Sequence, residues 1–592
     1  MALGRTRAES LASVDVAWYQ MEDPTNLMMI TGVFIFDQPV DFERLKATLD
    51  VRFAQRFRRF RQRVVAKRSR FGRPTWEDDP NFDLSNHLYR VALPAPGDHA
   101  ALQAMVSDLM STALDFSRPL WHFHLIDGYD GRSVLLVRLH HAIADGIALV
   151  QVMLSMTDTD QEGATSPPPP RKPQGWSPLA PVLRPARSAL KLTRKSVDAA
   201  IRNSVSVARD PEHLVDLARV GADMALTTGR VLLMSSDPKT VYKGKLVVRK
   251  QAAWSDPIPL EEVKLIGRAV GGTVNDVLMS ATAGAMRRYM EGRGEPVTDL
   301  NFRAVIPFNL RKPSRRIELG NKFGLVFLSM PIGVADPVDR LRELKQRMDA
   351  LKDSTEPIVT FGVLALIGLF PDRLQDVIVE IFGKKSTLVL TNVPGPREQL
   401  FLAGAPIGEI MFWVPQSGRL GLGISILSYN DQVMVGVASD SSLVPDPEAI
   451  VAAFHLELEA LRTEMRQRLM ETARKFDIPL AEDVASQPNG NQGGGISAVQ
   501  IDWAAISEAM RPALPAYVPN GDDLTSIVGI GPAYAARLQS AGIDSFSQLA
   551  AASPDQLAEL LAVPDWRRPD FESWLEQATA LSGGSVGDRP QQ

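Results

Sequence analysis

Two adjacent histidines, with an aspartate four residues beyond the second, carry the strongest chemical signal in this 592-residue chain: His140-His141-Ala142-Ile143-Ala144-Asp145-Gly146. A histidine changes charge near neutral pH, so one held on a rigid mount can take a proton from a substrate as a general base. The mount is legible. Ser133 to Leu139 is an apolar run that reads as a buried strand, and Ile147-Ala148-Leu149-Val150 reads as the start of a helix. The histidines therefore stand where a strand turns into a helix. Asp145 can hold the imidazole or the loop in place, and Gly146 leaves room for a substrate or a second backbone. Adjacent side chains on extended chain point to opposite faces, so His140 and His141 cannot both face one ion without distortion. With no His-Glu-x-x-His spacing either, no metal site is expected. A His-x-x-x-Asp alone is an ordinary accident in a chain of this length. The doubled histidine, the glycine and the preceding strand give this one weight.

The elements that position the motif alternate along the chain. Residues 8–160 mix short strands and helices, with Ile30–Phe36 a strand and Asp41–Phe53 a helix. Four prolines, Pro167 to Pro170, form an extended linker, and residues 180–235 read as helices without strand signals. From Gly244 the alternation returns. Leu246-Val247-Val248, Ala304-Val305-Ile306 and Leu325–Leu328 read as strands, and Pro259–Ala269 and Asn275–Met290 as helices. Ser425–Tyr429 and Val433–Val437 flank Asn430-Asp431, a hairpin turn signal. Gln487 to Gly495 has the composition of a flexible linker, and a short helical module follows. The expected organisation is α/β in two subdomains, 1–165 and 244–484, joined by a Pro-rich crossover with basic helices at 166–243. A linker at 485–498 then leads to a small all-α domain at 499–592.

Composition excludes several classes. The formal charge is −4, which predicts no overall binding of polyanions. The chain contains no cysteine, which rules out disulfides, thiolate metal sites and a cysteine nucleophile. The N-terminus lacks the apolar stretch of a signal peptide. No run reaches the roughly 18–20 apolar residues of a membrane span; the longest candidate, Ile358 to Phe370, carries two glycines. A cytoplasmic protein is expected, with a peripheral place on the inner membrane or on lipid droplets as an option.

The motif resembles that of the CoA-dependent acyltransferase superfamily, which includes the condensation domains of peptide synthetases. Further segments, in order, narrow the resemblance to the bacterial wax ester synthase/acyl-CoA:diacylglycerol acyltransferase family. They are Asp23-Pro24-Thr25-Asn26, Phe82-Asp83-Leu84 followed by His87, Pro119-Leu120-Trp121, Asn275-Asp276 and Asn392-Val393-Pro394-Gly395-Pro396. The resemblance covers about residues 8–475. One departure concerns an early Met-His pair frequent in the family, where this chain reads Met28-Met29. The resemblance implies a two-subdomain, chloramphenicol acetyltransferase-like fold with a channel between the halves. It also implies transfer of a long-chain acyl group from acyl-CoA to diacylglycerol or a long-chain alcohol, with acyl-CoA as substrate and no cofactor.

On that resemblance His141 is the base and needs no acyl-enzyme, and no Gly-x-Ser-x-Gly elbow stands between a strand and a helix. Asp145 is expected to be structural, fixing the loop or the imidazole through an arginine, for which Arg311 is the candidate. His140 is expected to pack or to shape the loop. Pro119, Leu120 and Trp121 are read either as channel lining or as plain core. Asn275 and Asp276 are read either as a helix cap or as the second half's contribution to the site. An amine or a small alcohol as acceptor, in a condensation-type reaction, is the alternative chemistry. A degenerate scaffold is the alternative of another class, and the intact His141, Asp145 and Asn275 weigh against it.

Two basic stretches and the terminal module bear on partners. Arg184 to Arg209 holds seven basic residues and one acid, with Arg187, Lys191, Arg194 and Arg202 near helical spacing. Such a helix suits an anionic membrane or droplet surface, or is an ordinary solvated face. Arg52 through Arg73 contains no acid and can attract CoA phosphates or lipid head groups, or form a charged rim. The module around Gly529-Ile530-Gly531 resembles a helix-hairpin-helix domain, whose turn can present N–H groups to phosphate. Residues 499–592 hold twelve acids, five arginines and no lysine, which disfavours nucleic acid. An unidentified protein partner is the expectation there.

Overall fold

The strand that delivers the histidines, Arg132–His140, is buried on both faces, which is why its apolar run is continuous instead of alternating. Leu135, Val137 and Leu139 join one core cluster, while Val134 and Leu136 join another on the opposite face. The computed structural model describes residues 8–66, 73–161, 234–270, 272–311, 317–352, 360–361, 383–416 and 418–475. In the C-terminal part it describes 524, 527, 530, 538, 541–561 and 571–582. The four prolines, the basic stretch Arg184–Arg209, the flexible linker, most of the apolar run Ile358–Phe370 and the turn glycines Gly529 and Gly531 lie outside the described residues.

Residues 1–470 form one unit and residues 471–592 a second. The first opens with β1 (Glu9–Ser10), α1 (Ser13–Gln20), β2 (Met29–Phe36), α2 (Phe42–Leu49), β3 (Gln62–Val65) and β4 (Thr75–Asp78). Next come β5 (Leu88–Ala92), α3 (His99–Met110), β6 (Trp121–Tyr129), β7 (Arg132–His140) and α4 (Gly146–Leu154). The later half supplies β8 (Lys250–Trp254), β9 (Ile258–Pro259), α5 (Leu260–Val270), α6 (Val274–Gly292), β10 (Phe302–Asn309) and β11 (Phe323–Met330). It continues with α7 (Pro337–Lys352), β12 (Leu388–Pro394), β13 (Phe401–Leu402), β14 (Ala405–Trp413), β15 (Leu422–Tyr429), β16 (Gln432–Asp440) and α8 (Pro447–Lys475).

Two large mixed sheets result, in the orders β13-β14-β2-β7-β6-β5 and β11-β10-β12-β15-β16-β8, the latter with β9 also on β16. A small sheet β1-β4-β3 stands apart from them. Sequence halves and sheets do not coincide: β13 and β14, from the second half, extend the first sheet through the β14–β2 pair. A strand expected at Leu246-Val247-Val248 is not formed. Val247 and Val248 are 37% and 51% exposed, and the ladder starts at Lys250, where the chain meets β16. The expected helix Asp41–Phe53 is α-helical only to Leu49 and then runs as a π-helix to Gln55. The hairpin at Asn430-Asp431 forms with both residues at positive φ (49° and 54°), as a two-residue turn of this twist requires.

Where the sheets meet, Met411 and Trp413 of β14 pack with Trp254 of β8 and with Met434 and Ala438 of β16. The Trp254 and Trp413 rings meet edge to face at 5.4 Å. Gly436 makes room for this. A Cβ there would stand 2.4 Å from Met411 Cε and 2.8 Å from Trp413 Nε1.

The second unit has a core of its own, with Leu524, Ile527, Leu538, Leu549, Leu557, Phe571 and Trp574 buried together. Its described helices are α9 (Phe546–Ala550), α10 (Pro554–Leu560) and α11 (Phe571–Ser582). Ser545 and Gln548 close a capping box on α9.

The close fit at Gly436 generates a stability prediction. Gly436→Ala should overpack the contact between the sheets and lower unfolding free energy by about 1–3 kcal/mol. Urea titration of the variant against the parent protein measures it, and an unchanged midpoint would show that Met411 and Trp413 yield freely.

Candidate active site

β7 ends at His140, whose N–H donates to Leu120 O at 3.0 Å, while His141 N–H donates to Met28 O at 2.7 Å. The chain then turns tightly. Ile143 N–H returns to His140 O (3.0 Å), and Ala142 N–H donates to His140 Nδ1 (3.0 Å). His140 is therefore an acceptor at Nδ1 and carries its proton on Nε2, which faces Glu22 Oε2 at 3.4 Å. Its bonds shape the loop.

His141 is buried between aromatic walls. Its ring stacks on Trp18 of α1 at 4.0 Å and tilts against Phe323 of β11 at 5.6 Å. Burial pushes its pKa down to about 4; Asp145, its own carbonyl and Asn321 act against that shift, and His140 with it. At neutral pH the ring is an uncharged base. Its Nδ1 is enclosed, with its own carbonyl the hydrogen-bonding group that most favours the protonated ring.

Asp145 does not bond to His141. One oxygen caps α4 by accepting from Ala148 N–H at 2.9 Å. The carboxylate also receives the Arg311 guanidinium, with Nη2 at 2.6 Å and Nε at 3.0 Å, and Lys322 N–H at 2.9 Å. Arg311 follows β10 and Lys322 precedes β11, so this carboxylate ties the two halves together. The strap continues through Gly320, which bridges to Ala144, donating to Ile143 O at 3.0 Å. Gly320 adopts φ +87°, a left-handed conformation that suits glycine.

Next in the strap, Asn321 donates from Nδ2 to His141 O (2.9 Å) and to Asp15 Oδ1 (2.9 Å). Its backbone N–H also reaches Asp15 Oδ1, at 3.0 Å. Asp15 is buried in α1, and desolvation raises its pKa to about 6 against the lowering effect of the Asn321 bonds.

The other residues singled out in the sequence stand as follows. Trp121 is core, stacked on His87 at 4.6 Å, with its Nε1 donating to Phe60 O at 2.8 Å. Leu120 is buried in the same cluster. Its carbonyl anchors His140, and Pro119 precedes it. Asp276 belongs to a capping box with Thr273 at the start of α6, whereas Asn275 Oδ1 accepts from Asn392 Nδ2 at 2.8 Å. Gly146 opens α4, and a Cβ there would meet nothing within 4 Å among the described residues. Asp15, Trp18, Gly320 and Asn321 escaped the sequence reading. The available signals were a lone acid inside the apolar run Val14-Asp15-Val16-Ala17-Trp18 and a Gly-Asn pair just before a strand.

Two outcomes follow from this geometry. Asp145→Ala leaves a buried guanidinium without its carboxylate, and should cost about 3–5 kcal/mol of stability. A double-mutant cycle with Arg311→Ala measures the coupling, and additive losses would refute the clamp. The second concerns pH. His141 has its pKa depressed on folding, so its contribution is present above pH 6.5 and is lost as pH falls toward about 4. Asp15 has its pKa raised, so its contribution is present below 3.8 and is lost as pH rises through about 6. The two oppose each other in one window. Asp15→Asn should therefore lose roughly 2–3 kcal/mol more than the parent protein between pH 6.5 and 4. Parallel stability curves would contradict the assignment.

Comparison with known proteins places the chain in a family. Residues 11–278 match the model of the wax ester synthase/diacylglycerol acyltransferase catalytic domain, and residues 319–462 that of the WS/DGAT C-terminal domain. Residues 524–582 match the RS2/RL21/YNQ2 HHH domain. A Mycobacterium tuberculosis H37Rv protein, provisionally named a diacylglycerol O-acyltransferase, is 30% identical over 419 residues, 69% of this chain and 86% of that one. The tgs1 protein of the same strain, also provisionally named a diacylglycerol O-acyltransferase, is 26% identical over 455 residues, 74% of this chain and 92% of that one. Among solved structures, the wax ester synthase/diacylglycerol acyltransferase from Marinobacter aquaeolei VT8 shares the fold. It has a TM-score of 0.56 at 22% identity, with coverage of 77% of this chain and 99% of that one. The first condensation domain of the calcium-dependent antibiotic synthetase gives a TM-score of 0.50 at 15% identity, covering 77% of this chain and 96% of that one. By the two matched models, which span more than half of its residues, and by its curated relatives, the chain belongs to the wax ester synthase/diacylglycerol acyltransferase family.

Proposed function

We propose that this protein is an O-acyltransferase that moves a long-chain acyl group from acyl-CoA to diacylglycerol or a long-chain alcohol, forming triacylglycerol or a wax ester. The observation that carries the reading is His141: a neutral, desolvated imidazole whose Nδ1 is enclosed, on a loop fastened to both halves. Nε2 is then the nitrogen left to meet a substrate. It takes the hydroxyl proton as the alcohol oxygen attacks the thioester carbon. When the carbon–sulfur bond breaks, the same proton passes to the departing CoA sulfur, so the imidazole ends as it began. Direct transfer of this kind uses no acyl-enzyme.

Asp145 serves the reaction through architecture, since its oxygens are occupied by Ala148, Arg311 and Lys322. Diacylglycerol is favoured as acceptor by the names of the mycobacterial relatives, and a long-chain alcohol by the family description. Among the described residues no helix is long and apolar enough to cross a membrane.

The test is acyl transfer by purified protein from palmitoyl-CoA to dioleoylglycerol, to hexadecanol and to a primary amine. His141→Ala should lower the rate about 10²–10⁴-fold, and His140→Ala should lower it less. Equal, near-parental rates for both variants would remove His141 as base, and transfer to the amine alone would replace this reading with a condensation-type one.

A further inference from the structure

The segment that fails to form a strand before β8 has an unusual surface. Among the described residues the exposed large apolar side chains are Val51, Val247, Val248, Leu456 and Leu560, and only Val247 and Val248 are neighbours. Scattered exposed hydrophobes are ordinary, so the adjacent pair is what asks for a reason. It sits within Lys245-Leu246-Val247-Val248-Arg249.

The backbone of this loop is held in place. Val247 N–H donates to Asp440 Oδ2 at 2.9 Å, and Lys250 Nζ donates to Val247 O at 3.0 Å. Ser442 Oγ donates to Lys245 O at 2.9 Å, and Ser441 N–H to Arg249 O at 3.1 Å. Leu246 turns inward, where a Cβ on Gly421 would stand 3.3 Å from its Cδ2. The loop therefore presents its valines from a fixed base. Its bonds also satisfy backbone groups that would be costly to carry unpaired into an apolar medium.

The charges beside the pair are of one sign. Lys245 and Arg249 are both exposed, and neither forms an ion pair among the described residues. Asp440, the carboxylate that receives Val247 N–H, is buried and already paired with Lys250 at 2.6 Å. Apolar side chains between exposed cations complement a surface that is negative at its head groups and apolar beneath them. Lys250 also ties the loop to the segment before β2, donating to Thr25 O at 2.7 Å. A few residues later β2 opens at Met29, the cross-strand partner of His140.

We propose that residues 245–249 are a docking loop for an anionic phospholipid surface. Val247 and Val248 enter the boundary between head groups and acyl chains, and Lys245 and Arg249 meet the anionic heads. The proposal concerns where the protein rests and goes beyond what it transfers.

The experiment uses the full chain and vesicles of phosphatidylcholine with phosphatidylglycerol. The chain has no cysteine, so Val248→Cys carries one polarity-sensitive dye at a single known place. Its emission should shift to the blue on adding these vesicles, and much less with phosphatidylcholine alone or in about 1 M salt. In sedimentation, Lys245→Gln with Arg249→Gln should weaken binding about 10- to 30-fold, as the loss of two cations at such a surface implies. Val247→Asp with Val248→Asp should weaken it at least 10-fold. Both double variants should keep the parental urea midpoint, because the replaced side chains are exposed. A dye that does not shift while the protein sediments with the vesicles would overturn the proposal. So would parental binding by the cation variant, or no binding by the parent protein. If the valine variant does not fold, the dye and the cation variant decide. Neither readout involves acyl transfer, so failure of His141 as the base leaves this test intact.

Discussion

The Asp145–Arg311 pair is the interaction on which the site depends. It is buried, with side-chain exposures of 6% and 10%, and it joins a loop of the first half to the end of β10 in the second. Two charges taken out of water are costly to desolvate, and their attraction offsets that cost only when the remaining lone pairs and protons are also satisfied. Here they are. Asp145 caps α4 and accepts from Lys322 N–H, and Arg311 donates onward to the carbonyls of Glu318 and Gly320. What this satisfied pair supplies above all is register. It fixes where Gly320-Asn321-Lys322 lies against His141–Asp145, and hence where the imidazole stands.

Desolvation does the electrostatic tuning. The same apolar surroundings that keep His141 neutral raise the carboxyl of Asp15, so the two titrate in overlapping ranges with opposite consequences for stability. Neither shift is set by a direct ion pair between them. Asn321 stands between them and bonds to both residues. A base whose pKa is depressed is always deprotonated at neutral pH, and its weakness is made good only if its cation finds a partner in the transition state. Asp145 favours that cation through space, and the His141 carbonyl and the Asn321 side chain favour it from closer at hand.

Much of this was legible in the residues. The strand before the histidines, the helix after Asp145, the Asn430-Asp431 hairpin and the structural use of Asp145 follow from local pattern, because a double-buried strand and a capped helix leave strong traces in sequence. The strand expected at Leu246-Val247-Val248 failed because apolar content alone does not say where a ladder begins. The crossing of β13 and β14 into the first sheet, and the convergence of Asp15 and Asn321 on His141 from 306 residues apart, have no local trace. Contacts at that separation are decided by topology, and one sequence does not display them. Asp15 was visible as an acid in an apolar run, but nothing nearby named its partner.

The account makes His141 a base and never an acyl acceptor, and intact-mass spectrometry of the protein incubated with acyl-CoA alone tests this most directly. The predicted result is an unchanged mass, together with initial rates that require both substrates on the protein at once. A mass gain of one acyl group, formed without acceptor and discharged when an alcohol is added, would contradict it.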